Sequence, residues 1–325
     1  MTISQTPTWI GVDWGSSNLR AWAMSESGEV LDRGGSTQGM LSLTPADYEA
    51  ALLAVIGDWL PEAGALDVLV CGMAGARQGW IEAPYRQVPA RLDRLADGAV
   101  APAVEHTRLR VRLLPGLCQH EDDSRHAFDV MRGEETQLAG LVAEAPAFTG
   151  TVCLPGTHAK WARLAEGELT GFTTYLTGEL YRLLAERSVL AHSLSPSSGG
   201  DELADPACAS TFIAAVQDSA TAPERFSARL FGVRARDLLD DALPAGEGRG
   251  ARLAARLSGL VIGLELAGAR ADLERDATVT LIGNEALCAR YAMALEALGI
   301  ANRRLDPERA VLAGLGLART RLANS

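Results

Sequence analysis

The chain has 325 residues, 47% of them apolar and 22% charged, the composition of a globular chain long enough for one large domain or two ordinary ones. A net charge of −11 argues against nucleic acid or an anionic membrane surface as main partner, while allowing a small anion held by a few local cations. No run of about 18 apolar residues occurs, the stretch before Thr8 lacks signal-peptide character, and the five scattered cysteines read as reduced core residues. A cytoplasmic chain with no transmembrane helix is expected.

Ile10 and Val12 alternate with Gly11 and Asp13, and Leu19, Ala21 and Ala23 alternate with Arg20, Trp22 and Met24, the period of two strands. Gly15, Ser16, Ser17 and Asn18 form the turn between them. Such a turn can gather backbone N–H groups into an anion-binding nest. Asp13 beside it would repel a bare phosphate but hold hydrated Mg2+, so nest and acid together suggest a metal-nucleotide site. Taken alone, a polar hairpin with a capping Asp explains this piece equally well.

A third strand is expected at 29–33, and a helix at 47–59 with Thr44 and Pro45 as its start. Residues 67–71 read as a buried strand feeding a small-residue loop, where Arg77 and Trp80 offer chemistry. Another strand at 110–114 ends at Pro115-Gly116. His120, Glu121, Asp122, Asp123 and His126 are the densest set of metal-ligand types, but their spacing fits neither a tetrahedral nor a facial-triad pattern. A solvated loop accounts for them.

Leu138, Leu141 and Val142 have helical spacing, which puts Gly133-Glu134-Glu135 at a helix start. Acids there complement the helix dipole, and one of them could also serve as a general base. Thr151–Leu154, the turn Pro155-Gly156-Thr157-His158-Ala159-Lys160 and the strand after it form a second phosphate-hairpin candidate. Lys160 is the single lysine among 30 basic residues. A boundary at 143–150 divides the chain into domains 1–145 and 146–325, with a last helix at 308–325 free to pack back on the first. Helices are expected at 175–190, through most of 201–257 with breaks at Pro206, Pro223 and Pro244, at 257–273 and at 309–322, and 193–200 reads as a loop. The strand 278–282 ends in Gly283-Asn284 before a helix at 286–298, a junction where a ligand can lie against the backbone.

Six pieces together resemble the sugar-kinase branch of the actin-like ATPases, and more closely the 2-dehydro-3-deoxygalactonokinase family. They are Asp13-Trp14-Gly15-Ser16-Ser17-Asn18-Leu19-Arg20, the loop from Gly72 to Trp80, Arg132-Gly133-Glu134-Glu135-Thr136-Gln137, Leu154-Pro155-Gly156-Thr157-His158-Ala159-Lys160-Trp161, Thr177-Gly178-Glu179-Leu180 and Leu281-Ile282-Gly283-Asn284. The resemblance implies an α/β, two-lobed actin-like ATPase (ribonuclease H-like) fold with an interdomain nucleotide cleft. It implies ATP-dependent phosphorylation of 2-dehydro-3-deoxy-D-galactonate at its 6-hydroxyl. ATP would be held at Gly15, Ser16, Ser17, Asn18, Gly156, Thr157 and His158, with Gly283 and Asn284 against the adenosine and Asp13 positioning Mg2+ through water.

Glu134 would be the base because it directly follows the glycine, with Glu135 the alternative, and Lys160 would neutralise charge on the transferred phosphate. Arg77 and Arg132 are the cations suited to the sugar-acid carboxylate, with Arg20 and Trp80 beside them; pairing of each arginine with a nearby acid such as Glu82 or Glu135 is the competing explanation. A kinase of the same fold acting on another small sugar, or a nucleotide-dependent binding protein, are the other readings. Oligomeric state is left open, a homodimer included.

Overall fold

The structure, a computed structural model, describes residues 6–121, 127–194 and 202–324. It is mixed α/β and divides into two compact units. Unit 1 takes the chain up to Thr149 together with Arg163–Thr173 and the residues from Pro307 on; unit 2 takes Gly150–Ala162 and Thr174–Asp306.

Unit 1 opens with β1 (Trp9–Trp14), β2 (Leu19–Met24) and β3 (Val30–Ser36), followed by α1 (Tyr48–Ile56) and β4 (Leu66–Gly72). After β5 (Tyr85–Gln87) and β6 (Ala90–Arg91), β7 (Leu109–Leu113) completes a sheet ordered β3-β2-β1-β4-β7. β1 is antiparallel to β2 and parallel to β4, so Asp13 lies opposite both Arg20 and Cys71, and Trp14 opposite Gly72. β1 and β4 are central and covered on both faces, hence their near-continuous apolar runs. Ile10, Val12, Val68 and Val70 form the core with Tyr48, Leu52 and Ile56 of α1. β8 (Gly116–Gln119) and β9 (Asp129–Met131) make a small sheet with β5, and Gly133 then turns the chain into α2 (Glu134–Glu144).

The chain continues with β10 (Gly150–Leu154), β11 (Ala159–Ala165) and β12 (Glu168–Tyr175), of which Arg163–Thr173 count with unit 1, and then, in unit 2, α3 (Thr177–Arg187), α4 (Pro206–Thr221), α5 (Phe226–Leu239) and α6 (Glu247–Ala269). β13 (Thr278–Ile282), α7 (Glu285–Ala297) and β14 (Ala301–Leu305) follow. The strand order β12-β11-β10-β13-β14 repeats that of the first sheet, with β13 parallel to both β10 and β14. A hairpin followed by parallel strands, occurring twice in one chain, is the ribonuclease H-like pattern expected from the sequence. Pro206 and Pro223 start helical segments where breaks were expected, because a proline in the first turn gives up only an N–H that has no partner there. α6 begins at Glu247, well before the expected start at Leu257.

The last helix, α8 (Pro307–Ala323), returns to unit 1 and lies on α2. The approach is backbone to backbone: a Cβ on Gly140 would fall 1.8 Å from the Ala310 carbonyl oxygen, and one on Gly314 2.0 Å from that of Thr136. Among the described residues no helix is long and apolar enough to cross a membrane.

Candidate active site

In unit 1 the chemistry collects where β1 and β4 end and α2 begins. The Gly15 N–H closes the first turn onto the Asn18 carbonyl at 2.8 Å, while Met40 and Leu41 donate to the carbonyls of Gly15 and Ser16. The turn is thereby fixed from behind, and Ser16, Ser17 and Asn18 stay exposed. Asp13 pairs with Arg20 across the hairpin, and the Cys71 thiol lies 4.0 Å from its other oxygen. Burial, together with Asp13 and Glu135 nearby, pushes that thiol far up, so Cys71 is an inert core group.

Gly72 at φ +92° and Gly133 at φ +106° adopt a backbone that side chains resist. A Cβ on Gly72 would also sit 2.6 Å from the Trp14 carbonyl oxygen. These two glycines bring the first glutamates of α2 beside the end of β1. Glu135 is fully buried, accepts the Gly133 N–H at 2.6 Å and meets Thr136 Oγ1 at 3.3 Å. Burial and then the Glu134 charge raise its carboxyl to about 8. Glu134 is only half-buried, and its Oε2 accepts the Arg132 N–H at 3.2 Å. Glu134 is therefore the more exposed of the two acids.

The four expected substrate-binding side chains occupy different settings. Arg77 is exposed, with a 3.3 Å pairing to exposed Glu82. Arg132 is buried, donates to the Ala83 carbonyl at 2.8 Å, and lies 4.4 Å from the Tyr85 ring centroid. Its Nε and Nη1 are shielded from solvent and have no hydrogen-bond partner. Trp80 stacks on Tyr48 at 5.8 Å and meets Trp14 edge-on at 6.2 Å, anchoring the loop after β4 to the core. Arg20 is engaged by Asp13.

Unit 2 holds a cavity of about 460 Å³. Its polar rim includes Gly156, Thr157, Thr177, Gly178 and Asn284, and its walls include Val261, Ile262, Leu287 and the Tyr181 and Tyr291 rings. Asn284 caps α7 by accepting the Leu287 N–H at 3.3 Å, and a Cβ on Gly283 would lie 3.3 Å from the Pro155 carbonyl oxygen. α3 starts against the second turn: Glu179 N–H donates to the Thr157 carbonyl at 3.0 Å, and a Cβ on Gly178 would stand 2.5 Å from the Gly156 carbonyl oxygen. His158 meets Glu179 at 2.5 Å. Lys160 is the second residue of β11; it is buried, donates to Thr174 Oγ1 at 2.8 Å, and is not among the cavity's lining residues. Apolar walls with a polar rim and a helix N-terminus suit a nucleotide.

Residues 13–318 match the 2-keto-3-deoxy-galactonokinase family. The chain belongs to that family. A relative from Rhizobium meliloti, described as a probable 2-dehydro-3-deoxygalactonokinase, is 41% identical over 94% of this chain and 95% of its own. The 2-dehydro-3-deoxygalactonokinase of Escherichia coli is 34% identical over 90% of this chain and 91% of its own. A crystal structure of a candidate 2-dehydro-3-deoxygalactonokinase from Sinorhizobium meliloti superposes with a TM-score of 0.81 at 38% identity, covering 97% of this chain and 99% of that one.

For a member of this kinase family, ATP is the implied phosphoryl donor. Of the Asp13 oxygens, Oδ2 is paired with Arg20, while Oδ1 is left uncovered by Gly72, on which a Cβ would lie 3.4 Å away; it is a hard donor of the kind a hydrated magnesium ion would take. Asp122, Asp123 and His126 lie outside the described residues. Sequence reasoning passed over Tyr181, Val261, Ile262, Leu287 and Tyr291, whose apolar helical spacing is indistinguishable from ordinary core. It also passed over Glu265, which one signal marked: an acid inside the apolar run of α6.

Proposed function

We propose that this kinase-family chain transfers the γ-phosphoryl group of ATP to the 6-hydroxyl of 2-dehydro-3-deoxy-D-galactonate. The observation that carries the reading is the match, along nine-tenths of the chain, to relatives named for that reaction. In the proposed division of labour the cavity of unit 2 takes the nucleotide and unit 1 supplies the acceptor site and base. Glu134 accepts the hydroxyl proton as the oxygen forms its bond to the γ-phosphorus. The bond from that phosphorus to the β–γ bridging oxygen breaks, and ADP leaves with the electron pair.

Support for Glu134 over Glu135 comes from access: Glu134 is half-exposed, whereas Glu135 is enclosed and holds its proton near neutral pH. Ser16, Ser17 and Asn18 of the first turn, and Gly156, Thr157 and His158 of the second, are assigned to phosphate, and Gly283 and Asn284 to the adenosine. Lys160 contributes a fixed cation behind the second turn. When bound, magnesium supplies neutralising charge, and Asp13 is the residue assigned to hold it through water. Arg77 is the first choice for the sugar-acid carboxylate, because exchanging an exposed pairing with Glu82 for a ligand carboxylate costs little. Arg132, whose two unpartnered nitrogens are shielded, joins in only if the 73–83 segment moves.

The test is ADP release with Mg-ATP across a panel of sugar acids and neutral sugars. Stimulation by 2-dehydro-3-deoxy-D-galactonate, and little turnover without it, is expected. Strong stimulation by a neutral sugar alone would overturn the substrate assignment.

A further inference from the structure

Behind the cavity of unit 2 lies a buried acid that the reaction does not touch. Glu265 projects from the middle of α6 and is 2% exposed. Three donors from three other elements converge on it: Trp161 Nε1 of β11 at 2.6 Å, Tyr291 Oη of α7 at 2.7 Å, and Thr177 Oγ1 at the start of α3. Burying a carboxylate is costly, and an arrangement of donors this complete is what makes it tolerable. Two of the three donors, Thr177 and Tyr291, line the cavity. Thr177 is followed by Gly178, whose backbone rests against the Gly156 carbonyl of the second turn. The second turn, the α3 start and the α7 wall are thus tied to one carboxylate.

We infer that Glu265 is a positioning residue for the nucleotide: through Thr177 and Tyr291 it fixes the separation between the phosphate-facing turn and the far wall of the cavity. The inference rests on the reading of that cavity as the nucleotide site. It carries a chemical consequence at each carboxylate oxygen. Oε1 serves Trp161, and Oε2 serves both hydroxyls. Glu265→Gln keeps both shape and bonding, because its amide oxygen can accept the Trp161 indole N–H while its NH2 donates to the oxygens of the Thr177 and Tyr291 hydroxyls. Glu265→Leu keeps the size but removes every acceptor, cutting both hydroxyls loose from α6.

Titration calorimetry of the full chain with Mg-ATP, alongside steady-state kinetics, tests this. Glu265→Leu is expected to raise the Kd for Mg-ATP about tenfold, the scale of one lost buried hydrogen bond, and to leave the KM for the sugar acid within about twofold. The conservative Glu265→Gln should hold the Kd within about threefold of wild type; a rise as large as that of the leucine variant would overturn the inference. So would a wild-type Kd in a folded Glu265→Leu, or an equal rise in both constants. Should that variant fail to fold, Tyr291→Phe removes a single hydroxyl held by Glu265, and an unchanged Kd for Mg-ATP there overturns it as well. Val261→Trp, which fills the cavity, separates the two claims. If Mg-ATP still binds normally with the cavity filled, the nucleotide assignment itself fails, whatever Glu265 does.

Discussion

Glu135→Gln tests the split between the two adjacent acids of α2. The Glu135 carboxyl is raised from 4.5 to about 8 by full burial and by the Glu134 charge. At one RT ln 10 per tenfold change in proton affinity, that displacement corresponds to about 5 kcal/mol between its neutral and ionised forms. The folded chain keeps a proton that the unfolded chain sheds, so wild-type stability should fall as pH rises from about 5 to about 8 and level off above. The amide cannot titrate, and it fits the site: its oxygen can accept the Gly133 N–H while its NH2 donates to Thr136 Oγ1. Urea unfolding of both proteins across that pH range should therefore show a steep decline for the wild type and a shallower one for the variant, with the curves meeting near the acidic end. Parallel curves would refute the burial argument. Turnover should remain within about threefold of wild type; a loss of orders of magnitude would move the base role to Glu135.

Three further outcomes are expected. Glu134→Gln should lower kcat by about 10²- to 10⁴-fold with the Kd for Mg-ATP nearly unchanged, measured by coupled assay and calorimetry. Arg77→Ala should raise the KM for the sugar acid about tenfold or more and leave that for ATP alone, the mark of a lost charge-assisted bond to the acceptor. Gly178→Ala places a methyl 2.5 Å from the Gly156 carbonyl oxygen, so the second turn must shift. Thermal unfolding should show a loss of about 1–3 kcal/mol, and the KM for ATP should rise more than that for the acid.

The fold class was legible because its two hairpins and central strands write themselves as alternation and apolar runs. β14 was not: Ala301-Asn302-Arg303-Arg304-Leu305 is a polar strand beside β13 and lacks a periodic apolar face. In the candidate site, Asp13 and the Gly133-Glu134-Glu135 step were legible as compact local patterns. Which glutamate turns inward was not, since neighbours on a helix point about 100° apart and the rotation of α2 is set by packing against α8. Lys160 illustrates a related limit. It lies next to a turn in sequence, but the pleat of β11 turns it toward Thr174. The cavity walls were the least legible part, because Val261 and Ile262 carry no chemistry of their own and line a cavity only together with residues of α3 and α7.

The packing of α8 on α2 bears on how the enzyme comes into being. During synthesis the residues bearing Asp13, Arg77 and Glu134 leave the ribosome long before 307–323, the segment that closes over Gly140 and carries Gly314 against Thr136. Until it arrives, Thr136 and Gly140 of the helix that begins at Glu134 lack the backbone they pack against. Unit 1 is begun first and finished last, so α2 is fully seated only after every residue of unit 2 has been made. In a chain ending at Asp306, the amides of α2 are thus expected to exchange with solvent faster than those of the strands in unit 2.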